Sequence, residues 1–368
     1  GGTNAAPVVI NFGQNPSFSN ELLGGDIGTA SDGLGSLFKY APPTGYKALN
    51  VDNLPPKGTR EIARRKTPVF TWIKNRDATD SHMLFDQVRG ATKVIHTDND
   101  THQIESTEVN TLQKFVPGGF QIGNDVQVNT TGESYVAWNW CMHDDIVNAG
   151  PQTMSPAGSI AATGLADRRL GFSVVKFTGT GAEDTSNWLV YHKDIGGGND
   201  GRMFLNLNLA TARFDNGPNS YFQDTPPSST VISVNGSTYN TTGNDFIYYC
   251  FHSVEGFSKF GSYSGNNNTN GTYAHCGFKP GWLLLKNTQN AATNWYIYDS
   301  KRDTYNQMQF PLMPSLNNAT YTSNLLHVDF LSSGFKIRND TYGETNTNNQ
   351  NYIFWAMAEQ PFKFANSR

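Results

Sequence analysis

The chain has 368 residues and a formal net charge of −4, and only 16% of its residues are charged. Such a balance gives no basic surface of the kind that binds nucleic acid, so we expect no nucleic-acid partner. Three cysteines, Cys141, Cys250 and Cys276, are too few for a disulfide framework. No apolar run approaches the length of a membrane span, so we expect no membrane insertion.

The composition predicts an all-β protein. Glycine accounts for 36 residues and aromatic residues for 12% of the chain, and Asn, Ser and Thr are frequent. These small polar residues compete with or loosen the helical backbone. They suit short strands that are joined by many turns.

Residues 1–58 form the first predicted segment. "VVINFGQ" (residues 8–14) is typical of a strand, and "LFKYAPPTGYKALNVDNLP" (residues 37–55) indicates a strand, a proline turn and a linker. The opening residues contain no Met and no signal peptide, and we interpret the chain as a piece of something longer.

The rest of the chain repeats itself. "SYVAWNWCMHDD" (134–145), "DFIYYCFHSVEGF" (245–257) and "NYIFWAMAEQPF" (351–362) align column by column, so that Trp138, Tyr249 and Trp355 correspond. "SHMLFD" (81–86), "NWLVYH" (187–192) and "NWYIYD" (294–299) recur with the same period of about 107 residues. Each block is apolar over a strand's length and is bounded by turn residues.

Further blocks agree with this period. "WIKN" (72–75) matches "LLKN" (284–287), and "GGFQI" (118–122) matches "SGFKI" (333–337), where the second copy has only "VISV" (231–234). "GFSVVKFTG" (171–179) and "GFSKFGSYSG" (256–265) introduce copies two and three. The prediction is three tandem antiparallel β repeats, residues 59–150, 151–255 and 256–368. One repeat alone has too few strands to bury its aromatic face, so we expect packing around a pseudo-threefold axis.

One family resembles the chain over essentially its whole length. "NFGQNPSF" (11–18) and residues 37–55 resemble the closing strand and exit segment of a SPRY-like, concanavalin-type β-sandwich found in large phage tail and virion proteins. In that family the sandwich precedes repeats similar to "WIKNR", "VEGFSKFGSYSGN" and a final "AEQPFKFANSR", which occur here in the same order. The resemblance implies the C-terminal part of a structural or tail protein, and it transfers no catalytic residues. Most of the sandwich is missing upstream, and the second repeat is shorter at residues 180–187.

Few residues suggest chemistry. "HTDNDTH" spaces His96, Asp98, Asp100 and His102 at period two, which puts imidazoles and carboxylates on one face of an extended segment, as a metal site requires. We interpret it instead as a polar, solvent-facing strand or loop and predict no metal. The Cys–His runs do not keep ligand residues in the repeat columns, so the cysteines are read as small buried residues.

Acidic and aromatic residues were weighed in the same way. Met142 to Asp145 and the acids Asp299 and Asp303 offer a carboxylate pair for glycoside cleavage, but surface charges or hairpin salt bridges are the preferred interpretation. Aromatic residues in the repeat columns are predicted to be core. The predicted ligand-binding residues are tyrosines assigned to variable loops: Tyr263, Tyr273, Tyr305 and Tyr342.

The expected function is that of a structural virion protein, a phage tail-fibre or tail-associated protein that presents loops to a host-surface glycan. We expect no enzyme activity and no cofactor, and partners that are copies of itself or other virion proteins, in a homo-oligomer within the extracellular particle. Two alternatives stay open. A stand-alone lectin module predicts a saturable glycan site, and a polysaccharide depolymerase fibre predicts paired acids in a groove.

Overall fold

A computed structural model of the chain describes residues 67–98, 105–154, 158–180, 188–195, 225–234, 240–290, 293–322, 325–339 and 344–360, with residue 222 and the backbone of three short strands. The chain divides into two compact units, Gly1–Arg64 and Arg65–Arg368. In the first unit, β1 (Ala30–Ser31) pairs antiparallel with β2 (Leu37–Phe38). The strand predicted at residues 8–14 lies outside the described residues.

The first predicted repeat contains a five-stranded sheet in the order β6-β5-β4-β3-β9. Its strands are β3 (Pro68–Asn75), β4 (Met83–Asp86), β5 (Gly90–His96), β6 (Ser106–Thr107) and β9 (Tyr135–Cys141). A hairpin of β7 (Leu112–Val116) and β8 (Gly119–Ile122) and the short helix α1 (Val126–Asn129) lie between β6 and β9. The side chain of Asp125 caps α1 by accepting the Gln127 N–H.

The second predicted repeat follows helix α2 (Asp144–Ala149), which ends the first predicted repeat and is capped by His143. Its sheet has the order β10-β11-β12-β15, with β10 (Gln152–Thr153), β11 (Ala162–Asp167), β12 (Phe172–Thr178) and β15 (Asp245–Phe251). Between β12 and β15, β13 (Leu189–Tyr191) pairs with β14 (Phe204–Asn206). The "VISV" run is irregular, so it is not the strand that corresponds to β8.

The third predicted repeat has a four-stranded sheet in the order β16-β22-β18-β19. These strands are β16 (Ser258–Ser264), β18 (Pro280–Asn287), β19 (Trp295–Asp299) and β22 (Asn351–Ala358). A smaller sheet has the order β17-β21-β20, with β17 (Tyr273–His275), β20 (Val328–Leu331) and β21 (Gly334–Ile337). The strand nearest the end of the chain, β22, pairs on both sides, with β16 and with β18.

The matching sequence blocks occupy matching places in the sheets. The "WIKN" strand β3 lies between β4 and β9, and the "LLKN" strand β18 lies between β19 and β22. The antiparallel all-β architecture is therefore confirmed. The repeat boundaries at residues 150 and 255 stay a prediction.

The three main sheets share one aromatic core. Trp140 of the first repeat lies 5.8 Å from Trp282 and 5.4 Å from Trp355 of the third, between ring centroids. Phe251 of the second repeat lies 4.2 Å from Trp355. Aromatic pairs at these separations add to the burial of apolar area. The prediction that the repeated aromatic columns form core is thus confirmed for this cluster.

The opposite faces of two sheets are covered by small β layers. The hairpin β7–β8 and helix α1 pack over the first sheet around Phe85, Leu112 and Val128. The sheet β17-β21-β20 packs over the third sheet around Phe335 and Tyr296. Each of these sheets is therefore covered on both faces, which explains why its strands are apolar almost continuously rather than in alternation.

Two buried joints connect neighbouring repeats in the same way. In the first repeat Asp86 pairs with Arg89, and Tyr249 of the second repeat donates its hydroxyl to Asp86 Oδ2 at 2.7 Å. In the third repeat Asp299 pairs with Arg302, and Trp138 of the first repeat donates Nε1 to Asp299 Oδ2 at 3.2 Å. Trp138 and Tyr249 occupy the same repeat column.

The third joint replaces the aspartate by His192. Its ring lies 6.2 Å from that of Phe260 in the third repeat, and Phe260 stacks on Trp355 at 5.4 Å. The contacts therefore pass from the second repeat to the first, from the first to the third and from the third to the second. A closed ring of head-to-tail contacts is what cyclic symmetry produces.

Candidate functional site

The small sheet of the third repeat presents a polar face on the side opposite the core. Its inward-pointing residues, including Ala274 on β17 and Phe335 on β21, are buried. Because side chains alternate along a strand, their neighbours point away from the core. We define the outer face by five of these residues: Tyr273, His275, Asp329, Lys336 and Arg338.

Tyr273 is the exposed aromatic residue of the outer face. Its side chain is 43% exposed on the edge strand β17. Its hydroxyl lies 2.7 Å from Ser333 Oγ and 3.3 Å from His275 Nδ1. These contacts hold the ring in one orientation while leaving a face of it accessible to a ligand.

Strand pairing places the charged residues beside this ring. Tyr273 lies opposite Lys336, and Lys336 lies opposite Asp329 on β20. Directly opposed residues of an antiparallel pair have their Cβ atoms about 5 Å apart, so the three side chains form one row. Lys336 Nζ also donates to Asn270 Oδ1 at 2.5 Å, which fixes the ammonium group next to the loop after β16.

Asp329 and Arg338 form the second part of the outer face. Arg338 Nε donates to Asp329 Oδ2 at 2.6 Å, and the arginine side chain is 32% exposed. Asp329 is buried, yet its Oδ1 has no hydrogen-bond partner among the described residues. A buried acceptor without a partner is uncommon in native proteins, and this oxygen has almost no accessible surface, so it is not a ligand contact of the outer face.

A second aromatic residue lies at the far edge of the same sheet. The amide of Asn306 donates to Phe330 O and accepts from Phe330 N, both at 2.9 Å, so residue 306 pairs with the free edge of β20. The preceding Tyr305 is 81% exposed. Three strand spacings separate β17 from this segment, which is roughly 15 Å. The face between them suits an extended ligand.

An asparagine-rich loop pair borders the outer face. The side-chain amide of Asn346 donates to Asn266 Oδ1 at 3.1 Å and to Asn268 O at 3.0 Å. Asn266 and Asn268 in turn each accept the backbone N–H two residues later. Residues 265–271 and 344–350 have no regular secondary structure. They are held by amide hydrogen bonds rather than by apolar packing.

The first repeat has the same hairpin without the same surface. Its "GGFQIG" aligns with "SGFKIR", so Gln121 and Gly123 stand at the positions of Lys336 and Arg338. In the hairpin pairing, Lys114 lies opposite Gln121, as Asp329 lies opposite Lys336. The first repeat therefore shares the hairpin of the third and lacks its two cations at the corresponding positions.

The four tyrosines that the sequence singles out have different environments. Tyr273 is on the edge strand β17, so its assignment to a loop was wrong. Tyr305 is in irregular chain at the other edge of the small sheet, so its assignment to a loop is confirmed. Tyr263 is on β16 rather than in a loop, is only 7% exposed, and donates its hydroxyl to Thr345 O at 2.8 Å. Its assignment to a loop was wrong, because the strand runs to Ser264. Tyr342 lies outside the described residues.

The four residues weighed as metal ligands are only partly described. His96 ends β5 and is buried, with Nε2 4.0 Å from Glu108 Oε1. The prediction of a solvent-facing segment is therefore wrong at this residue. Asp98 accepts the His82 backbone N–H at 2.8 Å, and burial raises the pKa of its carboxyl. Asp100 and His102 lie outside the described residues. Across the part of the chain that the structure describes, no three His, Cys, Asp or Glu side chains group as metal ligands do.

The cysteines are free thiols. Burial raises the pKa of Cys141 and of Cys250 to about 11, and that of Cys276 to about 12. A thiol with a raised pKa is a poor nucleophile at neutral pH. These environments agree with the interpretation of the cysteines as small packed residues.

The acidic residues considered for glycoside cleavage each have a different structural role. Asp299 is buried and bound to Arg302, and Asp303 Oδ2 accepts the Gln309 backbone N–H at 2.6 Å. Asp144 and Asp145 are in the first turn of α2, where negative charge favours the helix. Asp299 is therefore not the free carboxyl group that a general acid requires.

The Lys–Asn dipeptides that end "WIKN" (72–75) and "LLKN" (284–287) anchor the loops that follow them. Lys74 donates Nζ to Ala78 O at 3.1 Å, and Lys286 donates Nζ to Thr293 O. Both lysines are fully buried, and desolvation lowers the pKa of each to about 8. Each following asparagine accepts two backbone N–H groups of the next loop. The pattern thus encodes a turn rather than a binding group.

Sequence reasoning missed the charged residues of the outer face. A single charged residue in a β chain is usually on the solvated surface. The sequence therefore did not predict a site at Lys336, Arg338 and Asp329. The repeat alignment itself contained the signal. Within matching blocks, the first repeat has Gln121 and Gly123 where the third has two cations.

Comparison with known proteins gives one match. A family model described as a domain of unknown function, DUF7483, matches residues 58–186 and again residues 182–361. No curated protein and no solved structure matches the chain significantly. Among the described residues, no helix is long and apolar enough to cross a membrane.

Proposed function

The chain belongs to the DUF7483 family, a domain of unknown function, and from its geometry we propose that it is a structural virion protein that presents the outer face of its third repeat to a host-surface glycan. In this proposal the protein is a tail-fibre or tail-associated component in several copies. The blocks that resemble phage tail proteins support the virion role. The exposed tyrosine and the charged residues of the outer face support the proposal of a glycan ligand.

The observation that carries the glycan proposal is the setting of Tyr273. Its ring is exposed, its hydroxyl is held by Ser333 and His275, and polar groups lie beside it in the same row. Sugars bind through their C–H faces on aromatic rings and through hydroxyl groups that bond with polar side chains. A binding site generally combines an apolar surface with a few placed polar groups.

The scaffold fits this role because it is rigid. Three sheets share one aromatic core, and two polar joints are buried between repeats. Loops and faces on such a scaffold lose little conformational entropy on binding. A weak single site then becomes effective when many copies bind one surface.

The test is glycan binding to the intact chain and to two tyrosine variants. On an array of bacterial surface oligosaccharides, Tyr273→Ala should weaken binding at least tenfold, which corresponds to about 1.4 kcal/mol. Tyr321→Ala is the matched control, because Tyr321 has a similar exposure of 39% outside the outer face. Equal binding by all three proteins, or binding to no glycan, would overturn the proposed site.

A stand-alone lectin uses the same face, so particle imaging separates it from a virion component. Antibody labelling should find the chain in repeated copies on a phage tail or fibre. A free protein that binds glycan, with no label on any particle, would refute the virion role and leave the lectin.

A further inference from the structure

From the charges of the outer face we propose that its ligand is an acidic glycan, one whose carboxylate or other anionic group binds between Lys336 and Arg338. The inference rests on the proposed glycan-binding function and names the chemical class that this site selects.

Two cations point to the same side of the small sheet, Lys336 from β21 and Arg338 from the residue directly after that strand. Lys336 and Arg338 are two residues apart, and the residue between them, Ile337, is buried in the core. Alternation along the strand therefore directs both cationic side chains outward and places them about 7 Å apart along the sheet. An anion the size of a carboxylate can accept hydrogen bonds from both.

Each cation is held in place with donors to spare. Lys336 Nζ uses one of its three N–H groups on Asn270. Arg338 uses Nε on Asp329, which leaves its terminal guanidinium nitrogens for another acceptor. A guanidinium presents these nitrogens in a fixed fork that matches a carboxylate or phosphate. The side chains are thus oriented before a ligand arrives.

The acid in the row leaves the face with a net positive charge, because Asp329 neutralises only one of the two cations. Its Oδ1 has almost no accessible surface, so a ligand on the outer face does not contact that atom. With Tyr273 as the stacking surface, the face offers an exposed ring for the sugar and a cationic pair for its anionic group.

The first repeat shows that the scaffold does not need these charges. Its equivalent hairpin has Gln121 at the position of Lys336 and Gly123 at that of Arg338. A side chain at residue 123 would meet Asn110 O at 2.3 Å, so the neighbouring loop fills that place. The positive pair of the third repeat is therefore not required by the hairpin that it shares with the first.

The experiment uses the intact chain and an array of acidic oligosaccharides, each printed beside its carboxyl-reduced, neutral form. Oligogalacturonides and their reduced counterparts are one such pair. We expect tighter binding to the acidic member of at least one pair by tenfold or more, with affinity that falls as salt rises. Lys336→Gln restores the residue of the first repeat and should remove most of this preference. Lys114→Gln, on the hairpin of the first repeat, is the control and should retain it.

The outcomes separate the two proposals. Equal binding to acidic and reduced members by the wild-type protein, or an unchanged preference in Lys336→Gln, overturns the acidic ligand while glycan binding stands. Failure to bind any member of the array overturns both. Circular dichroism and urea unfolding of the variants show that they are folded, so a lost preference cannot be attributed to misfolding.

Discussion

The buried Asp299–Arg302 pair gives the sharpest prediction about how the repeats hold together. Its side chains are 4% and 3% exposed, and Arg302 Nε donates to Asp299 Oδ2 at 2.5 Å. The same oxygen accepts Trp138 Nε1 from the first repeat, and the guanidinium lies 5.9 Å from the centre of the Trp138 ring. The pair is therefore both a turn element and a joint between repeats.

The substitution Asp299→Asn removes the charge with little change of shape. An asparagine keeps an Oδ1 acceptor for the backbone N–H groups of residues 301 and 302. Its amide then faces the donors of Arg302 and Trp138, and the arginine is left buried without its counter-ion. Removal of one partner from a buried pair costs about 3–5 kcal/mol in unfolding free energy. We expect a loss in that range.

The measurement is urea unfolding at pH 7, followed by tryptophan fluorescence and circular dichroism. Glu359→Gln is the matched control, because its pair with Lys279 is on the surface, with side-chain exposures of 23% and 42%. That substitution should change stability by about 1 kcal/mol or less. If Asp299→Asn loses no more than this control, the pair is not a desolvated joint and the reasoning fails.

A double-mutant cycle locates the effect at the joint. Trp138→Phe removes the Nε1 donor and keeps an aromatic ring in the core. Because the two side chains share one hydrogen bond, the losses of the single variants should not add in the double variant. Additive losses would show that Asp299 stabilises only its own turn.

Two pH-dependent predictions follow from buried titratable groups. Desolvation lowers the pKa of His192 to about 4, below its usual value of about 6.5, so the unfolded chain binds the proton first. Stability is then lost as pH falls from about 6.5 to 4, by about 3 kcal/mol, and His192→Asn should be less sensitive by that amount in acid unfolding. An identical acid response would contradict the buried, neutral histidine. Desolvation likewise lowers the pKa of Lys286 from 10.5 to about 8, so stability should rise with pH between about 8 and 10.5, by about 3 kcal/mol. Lys286→Met should flatten this rise in urea unfolding across that window, and an unchanged slope would refute the assignment.

Much of the fold was readable from the sequence because its signals are local. Alternating or continuous apolar blocks that are bounded by Asn and Gly set strands such as β9, β15 and β22, and their repetition identified corresponding strands. The block "VISV" (231–234) does not form the strand that corresponds to β8, because a short apolar run does not specify a partner strand. Its neighbours in the second repeat differ from those of the other two.

The candidate site was predictable only in part. Tyr273 and Tyr263 are alike in sequence, as tyrosines next to Asn-rich tracts. The structure separates them, because Tyr263 is on a strand that faces the core and Tyr273 is on an edge strand with its ring outward. A shift of one residue in strand register reverses which face a side chain occupies. The register of β17 against β21 cannot be predicted from the local sequence of either strand.

The sequence by itself determined that this chain is all-β, which segments form its main strands, and that those segments recur. These properties depend on backbone propensity and on local hydrophobic period. Only the tertiary structure decided that Trp140, Trp282 and Trp355 meet in one core, that Asp86 and Asp299 face aromatic residues of another repeat, and that Lys336 and Arg338 stand beside Tyr273. Each of these contacts joins residues far apart in the chain, so it exists only once the sheets have paired and packed.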